Sequence, residues 1–262
     1  NLLFILMKLK EIKKILIYLI NFFLNRNIKF TGSYSNWKLA KKKSYGYDHD
    51  VIINKKKTSL IKVLKGEAKF ERDTFLFYKD QPNKEIISII SKIKGKINVC
   101  DFGGSFASTY FQNIKFLESE RINWNIVEQK KIVKIAKKLI KINGLKFYDN
   151  INEVLKNKID LIIFSSVLQY LEFPFKLLDK IIKANIKNIL VLRTPFHNDL
   201  DIIKIQEVPS YIYNSSYPVR IFQEKTFLEY MNKKNSFSKK KLLCDEVVGK
   251  ISYKNFYFKK IK

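Results

Sequence analysis

The chain has 262 residues, a formal net charge of +27 at pH 7 and 46% hydrophobic residues. This length and apolar content suffice for a large domain with a proper core, which excludes a disordered chain. Two cysteines and two histidines, each pair far apart in sequence, exclude a disulfide framework and predict no metal site. We therefore expect a cytoplasmic protein.

The basic excess is almost entirely lysine, because only five of the 51 basic residues are arginine. Isoleucine, asparagine, phenylalanine and tyrosine are also abundant, and A/T-rich codons explain much of this bias. Nucleic-acid sites favour arginine, and these lysines are spread along the chain, so we expect no nucleic-acid partner. Arginine persists where planar, bidentate recognition needs it, which makes three residues candidates for substrate binding: Arg72, Arg193 and Arg220.

Residues 1–94 are expected to form an amphipathic helix followed by a helical cap. Apolar residues recur at helical spacing over Met7–Asn25, behind a cluster of lysines. Its uncharged part is about half of the ~20 residues that span a bilayer. This helix either contacts the inner membrane surface peripherally or packs on the main domain or a partner. The rest shows helical patterning at Ser59–Leu64 and Lys84–Ile93 and no clear strand.

From residue 95 to residue 262, strand and helix patterns alternate. Short apolar runs predict five strands: Ile97–Phe102, Asn125–Glu128, Leu145–Tyr148, Leu161–Ser165 and Ile189–Leu192. Helices are predicted at Ile132–Ile142, Phe175–Ala184 and, after a long irregular stretch, Lys225–Asn232; a strand pair follows at Leu242–Val248 and Ser252–Phe258. Such alternation predicts an α/β fold with a Rossmann-like, doubly wound, mostly parallel sheet.

The first predicted strand ends in a glycine turn, Asp101-Phe102-Gly103-Gly104-Ser105. Glycine permits unusual dihedrals and close approach of a ligand, and the following helix offers free N–H groups. A dinucleotide fingerprint places its acid on the second strand, whereas Asp101 lies on the first. An anion there repels a pyrophosphate but suits a ligand with an amino group and a sulfonium, which argues against a nicotinamide dehydrogenase.

Further polar residues end the next strands, and the ends of parallel strands meet at one sheet edge. Glu128 suits ribose hydroxyls and Asp149 an adenine edge, although Asp101 and Asp149 also fit ordinary turn-capping roles. The predicted cofactor-binding residues are Asp101, Gly103, Gly104, Ser105, Glu128, Asp149 and Ser165.

The glycine turn resembles the first motif of class I, Rossmann-like methyltransferases, acid-x-Gly-x-Gly-x-Gly, with Ser105 and Ala107 replacing the later glycines. Over residues 30–230 the chain is similar to a methyltransferase family associated with surface-polysaccharide (O-antigen-type) gene clusters. The stretches that carry this likeness include Gly46-Tyr47-Asp48, Phe70-Glu71-Arg72-Asp73, Ser108-Thr109-Tyr110-Phe111-Gln112-Asn113, Val127-Glu128-Gln129, Ser165-Ser166-Val167-Leu168-Gln169-Tyr170-Leu171-Glu172 and Arg193-Thr194-Pro195-Phe196. The resemblance implies S-adenosylmethionine as cofactor and a small-molecule or glycan acceptor, such as a sugar in polysaccharide assembly.

Methyl transfer mainly requires positioning of the acceptor, and a hydroxyl acceptor benefits from a general base. The candidate catalytic residues near the fourth and fifth strand ends are His197, Glu172 and Tyr170. Two alternatives remain: a non-catalytic cofactor-binding protein, which the altered glycine loop permits, and an RNA methyltransferase. The latter is disfavoured because Ser165-Ser166-Val167-Leu168 stands where amino-directed base methyltransferases carry an Asn/Asp-Pro-Pro-aromatic motif. The sequence leaves the oligomeric state open.

Overall fold

The computed structural model describes residues 28–47, 49–209, 212–233, 237–248 and 250–261. The predicted helix Met7–Asn25 lies outside these residues, so its membrane or protein contact remains a prediction. Among the helices that are described, none combines the length and apolarity needed to cross a bilayer.

The secondary structure alternates along most of the chain. The strands are β1 (Lys29–Tyr34), β2 (Gly46–Tyr47), β3 (Phe70–Arg72), β4 (Phe75–Phe77), β5 (Ile97–Phe102), β6 (Ile122–Val127), β7 (Leu145–Tyr148), β8 (Leu161–Ser165), β9 (Asn188–His197), β10 (Ile202–Val208), β11 (Ser215–Gln223), β12 (Phe237–Val248) and β13 (Ile251–Lys260). The helices are α1 (Trp37–Lys43), α2 (His49–Leu64), α3 (Lys84–Ser91), α4 (Ser108–Asn113), α5 (Lys130–Leu139), α6 (Ile151–Val154), α7 (Pro174–Lys183) and α8 (Glu224–Lys233).

The central sheet has the strand order β7-β6-β5-β8-β9-β13-β12. Strands β5 to β9 are mutually parallel, and β13 runs antiparallel between β9 and β12. Strand β8 is buried from Leu161 to Phe164, as expected for a strand covered on both faces. The α/β, mostly parallel fold is confirmed, and β5, β7 and β8 have the predicted boundaries.

Helices cover both faces of this sheet. The core on one face includes residues of α2, α3, α4 and α5, and the core on the other includes residues of α6, α7 and α8. In α5 the buried residues Ile132, Val133 and Ala136 form one stripe of an otherwise lysine-rich helix. The doubly wound arrangement therefore follows from amphipathic helices on either side of an apolar sheet.

The segment before residue 95 is helical only in part. Helix α2 contains the first predicted helical stretch and α3 covers all but the last two residues of the second, but the segment also contributes four strands. Strand β1 pairs with β10, β2 pairs with β11, and β3 and β4 form a hairpin. The predicted helical cap therefore also contains short strands that were not expected. These strands are short, and β1 lacks an alternating burial pattern, so periodicity did not reveal them.

Two further strands, β10 and β11, lie in the stretch that the sequence analysis treated as irregular. Strand β9 continues beyond the end of β8, and its residues Phe196 and His197 pair with Phe222 and Gln223 of β11. From there β11, β10, β1 and β2 form an antiparallel extension, here called the wing. The wing therefore borders the carboxyl edge of the parallel strands.

Candidate functional site

The glycine loop, Gly103–Ala107, follows β5 directly and lies tightly against its neighbours. Gly103 has φ +75°, and a Cβ atom there would lie 2.5 Å from Cγ2 of Val167. A Cβ atom on Gly104 would lie 2.8 Å from Cγ of Asp101. Both positions therefore need glycine, because the backbone approaches other atoms too closely for any side chain.

Asp101 supports this loop from below. Its side chain is fully buried, and Nε1 of Trp124 donates a hydrogen bond to its Oδ2 at 3.3 Å. Its Oδ1 is buried without a hydrogen-bond partner among the residues described. Burial raises the pKa of Asp101 to about 7, against the effect of the Trp124 hydrogen bond. The sequence predicts that this carboxylate binds the cofactor; in the structure it lies beneath Gly104.

Glu128 anchors the loop to the neighbouring strand. Its Oε2 accepts a hydrogen bond from N of Ser105 at 3.2 Å, and its Oε1 accepts one from N of Gln129 at 2.8 Å. The Glu128 N–H donates to the carbonyl oxygen of Tyr148 at 3.0 Å, and the exposed Asp149 follows directly. The structure therefore brings Ser105, Glu128 and Asp149 to adjacent strand ends at one edge.

Strained backbone is concentrated at this edge. Non-glycine residues with positive φ include Ser105 (53°) and Ala107 (69°) after β5, Ser166 (55°) after β8 and Arg193 (49°) within β9, just beyond its pairing with β8. Such a conformation costs about 1–2 kcal/mol per residue, and it persists where function requires the geometry. The carboxyl edge therefore contains four of the non-glycine residues with positive φ among those that the structure describes.

Lys56 of α2 reaches the glycine loop, and the sequence analysis missed it. Its Nζ lies 3.4 Å from Oγ of Ser105. Burial acts against its charged form, but the carboxylates of Asp73, Glu71 and Glu128 outweigh burial and raise the pKa of Lys56. One lysine within a long lysine-rich helix carries no distinguishing sequence signal.

The β3–β4 hairpin is fastened to the start of α4 by Glu71. This buried carboxylate accepts hydrogen bonds from Oγ of Ser108 and, at 3.2 Å, from N of Thr74. Burial raises its pKa, and the hydrogen bond from Ser108 partly offsets that effect. The hairpin therefore has a defined position beside the helix that follows the glycine loop.

Two of the predicted substrate-binding residues, Arg72 and Arg193, line one cavity of about 360 Å³. Nη2 of Arg72 donates to Oε1 of Gln112 at 2.9 Å, and its guanidinium lies over the ring of Phe77 at 5.6 Å. Nη2 of Arg193 donates to Oγ of Ser165 at 3.1 Å. The structure therefore places these arginines and Ser165 together, although they come from three separate strands.

Tyr170 joins the edge of the central sheet to the wing. Its OH donates to Oε1 of Gln206 at 3.0 Å, and Nε2 of Gln206 donates to OH of Tyr217 at 3.1 Å. The two tyrosine rings meet edge to face at 5.4 Å. Burial raises the pKa of Tyr170, which makes its phenol a hydrogen-bond donor rather than a base at neutral pH.

The other sequence-predicted residues are placed differently. Nδ1 of His197 accepts hydrogen bonds from N of Asp199 at 3.1 Å and from N of Leu200 at 3.3 Å, which puts the proton of a neutral ring on Nε2. Arg220 forms a salt bridge with Asp201 at 2.9 Å and does not line the cavity. Glu172 is exposed just beyond the turn that carries Tyr170.

Comparison with known proteins identifies the fold. No family model matches the sequence, and no curated protein matches it. Among solved structures, the N-terminal domain of EvdMO1 with SAH bound matches with a TM-score of 0.55 and 10% identity, over 82% of this chain and 98% of that domain. The same domain in the presence of SAH and D-fucose matches with a TM-score of 0.54 and 10% identity, over 82% and 97%. The chain thus has the Rossmann-like α/β fold of class I methyltransferases, and this similarity concerns the fold alone.

Proposed function

We propose that this protein is an S-adenosylmethionine-dependent methyltransferase that acts on a small-molecule acceptor. The observation that carries the proposal is the glycine loop, held over a buried Asp101 and tied to Glu128 at the carboxyl edge. The structural neighbour of the same fold was crystallised with SAH, the product form of this cofactor. An acid on the first strand, beneath the loop, also separates this site from a dinucleotide fingerprint.

The residues at the edge fit the cofactor. Gly103 and Gly104 let the loop pack closely against Val167 and Asp101, which fixes the loop at this edge. The half-exposed carboxylate of Glu128 suits ribose hydroxyls, and the exposed Asp149 on the next strand suits an adenine amino group. When bound, the cofactor supplies the methyl group. Asp101 contributes by supporting the loop.

The protein's own residues would act mainly by positioning the acceptor and excluding water. Tyr170, held by Gln206 and packed against Tyr217, presents an ordered aromatic surface and a phenol donor. Of the three candidate catalytic residues, Glu172 is the exposed carboxylate, whereas Nδ1 of His197 already accepts two backbone hydrogen bonds. We therefore assign the proton acceptor for a hydroxyl substrate to Glu172.

The proposed acceptor is a sugar or a glycan precursor in surface-polysaccharide assembly. Tyrosine rings beside the edge suit sugar faces, and the matching EvdMO1 domain was crystallised in the presence of D-fucose. The proposal places the reaction in the cytoplasm, with residues 7–25 at the inner membrane surface.

Calorimetric titration with S-adenosylmethionine, SAH and NADH tests the cofactor. We expect binding of both adenosyl ligands and none of NADH. Binding of NADH alone would overturn the proposal. Binding of SAH without methyl transfer to any sugar, sugar phosphate or nucleotide sugar would identify a non-catalytic cofactor-binding protein instead.

The role of Glu172 is tested by Glu172→Gln, with Glu229→Gln on the exposed face of α8 as the matched control. Once an acceptor is found, we expect Glu172→Gln to lower kcat about 100-fold, within the usual range for loss of a general base, with unchanged SAH affinity. An equal kcat in both variants would exclude Glu172 as the base.

A further inference from the structure

The cavity that contains Arg72 and Arg193 has an unusual electrostatic composition. It lies between the start of α3, the helix α4 and the ends of β8 and β9. Both guanidinium groups donate hydrogen bonds to neutral partners, Gln112 and Ser165. Two positive charges therefore border a cavity of about 360 Å³, and each is hydrogen-bonded to an uncharged partner.

Neither arginine forms an ion pair within the part of the chain that the structure describes. The nearby carboxylate of Glu71 is occupied by Ser108 and Thr74. Burial and the charge of Arg193 lower the pKa of Arg72 to about 10, against the opposite effect of the carboxylates of Asp73 and Glu71. Holding two partly buried like charges side by side costs free energy that an anion in the cavity would recover.

The backbone and neighbouring rings hold both side chains in position. Arg193 has φ +49°, and its N–H donates to Oδ1 of Asn255 at 2.7 Å. The guanidinium of Arg72 lies over Phe70 and Phe77, whose rings are stacked with centroids 4.4 Å apart. In a chain whose basic residues are nearly all lysine, these two positions keep the planar group that binds carboxylate or phosphate bidentately.

We propose that Arg72 and Arg193 together form one anion-binding site, which takes a carboxylate or a phosphate group in the cavity between them. Lys84 and Glu85 at the start of α3 also line this cavity, and their opposite charges offset each other. The backbone N–H groups at the start of a helix favour an anion as well.

The anion has two sources if the proposed function is right: the methionine carboxylate of the cofactor, or an acid group of the acceptor. None of Gly103–Ala107 lines the cavity, and neither does Glu128, but the predicted cofactor-binding residue Ser165 does, so the cavity adjoins the proposed cofactor site. The anion site itself does not rest on methyl transfer. Only the identity of its ligand rests on the proposed function.

Inorganic phosphate is the probe for this site. The Tm would be measured at increasing concentrations of sodium phosphate. The same series in sodium chloride at equal ionic strength is the reference, because it corrects for general screening of the basic surface. Arg72→Gln and Arg193→Gln remove one charge each, and Lys146→Gln, an exposed residue of β7, is the matched control. Arg72→Lys and Arg193→Lys keep the charge and lose the planar fork, in case a glutamine variant misfolds.

We expect saturable stabilisation by phosphate in the wild type and in Lys146→Gln. Each glutamine variant should bind phosphate at least about tenfold more weakly than the wild type, as expected for loss of a charge-assisted hydrogen bond. The lysine variants should fall in between. No saturable stabilisation, or equal phosphate affinity in all variants, would overturn the proposal.

A second titration, in saturating SAH, distinguishes the two sources. If SAH abolishes phosphate binding, the site holds the cofactor carboxylate. If phosphate binds equally well beside SAH, the site holds an acid group of the acceptor. Both results support the anion site. A protein that binds phosphate but no SAH would keep the anion site and reject the proposed cofactor.

Discussion

The two halves of the carboxyl edge are built differently. The cofactor half, at the ends of β5, β6 and β7, comes from one continuous segment, residues 97–149, and its strands pair in register without interruption. The acceptor half, at the ends of β8 and β9 with the wing, combines segments from residue 29 to residue 260. Strand β9 pairs with β11 over only two residues, and its pairing with β13 is irregular.

From this difference we expect the two halves to have separate functions. The cofactor half offers a short loop and strand-end carboxylates, which suit a ligand of constant shape. The acceptor half contains tyrosines, arginines and a wing assembled from distant segments. Residues there can vary in sequence without disturbing the glycine loop. Substitutions in the cofactor half should therefore affect cofactor binding, and substitutions in the acceptor half should affect acceptor turnover.

The largest effect is expected from Gly103→Ala. The new Cβ combines a left-handed backbone with a 2.5 Å approach to Val167, so we expect a loss of about 2–5 kcal/mol of unfolding free energy and loss of SAH binding. Gly66→Ala is the control, because φ is +77° there and nothing lies within 4 Å. It should lose only about 1–2 kcal/mol and keep its SAH affinity.

The double variant Gly103→Ala with Val167→Ala sharpens this test. If the side-chain collision matters, the second substitution should restore part of the stability that the first removes. Additive losses in chemical denaturation would show that backbone strain alone explains the effect.

A pH-dependent effect is expected from Asp101→Asn. The pKa of Asp101 is raised to about 7 in the folded protein, so ionisation of this group disfavours folding. The contribution of Asp101 to the unfolding free energy of the wild type therefore falls as pH rises from about 4 to about 7. The stability of the asparagine variant relative to wild type should therefore increase over that range by a few kcal/mol, at about 1.4 kcal/mol per pKa unit.

Urea denaturation of both proteins at pH 5 and pH 8 measures this difference, and titrations common to both proteins cancel. A difference that stays constant with pH would contradict the buried, protonated state of Asp101.

A smaller effect, on cofactor binding alone, is expected from Glu128→Gln. Loss of the negative charge should weaken SAH binding about 10-fold to 100-fold, since hydrogen bonds to a charged group contribute about 1.5–3 kcal/mol. Glu153→Gln, on the exposed face of α6, is the matched control and should bind SAH as the wild type does. Calorimetry on both variants measures the ratio, and equal affinities would remove Glu128 from the site.

The smallest effect on stability is expected from Tyr217→Phe in the acceptor half. Loss of the hydrogen bond from Gln206 should cost about 1 kcal/mol and leave SAH affinity unchanged, while acceptor turnover falls. Tyr45→Phe removes an exposed hydrogen bond to Asn214 and should change stability by less than about 0.5 kcal/mol. A fall in SAH affinity in Tyr217→Phe would show that the two halves are not separate.

Prediction from the sequence was most accurate where structure is local. The strands at Ile97–Phe102, Leu145–Tyr148 and Leu161–Ser165 are short, mostly apolar stretches, and their predicted boundaries are correct. Strand β6 was predicted three residues short at its start, because the exposed Asn123 and the buried Asn125 interrupt the apolar run. Asn125 is buried because its Nδ2 donates to the carbonyl oxygen of Val99 at 3.1 Å.

The sequence by itself determined the alternating α/β order, the glycine loop and the acids at the strand ends, because each depends on neighbouring residues. Only the tertiary structure decided that Asp101 lies beneath the loop and that Lys56 reaches Ser105. It also decided that Arg72 and Arg193 share a cavity while Arg220 is paired with Asp201. The physical reason is that these contacts join residues tens to more than a hundred positions apart, and a local pattern contains no information about such partners.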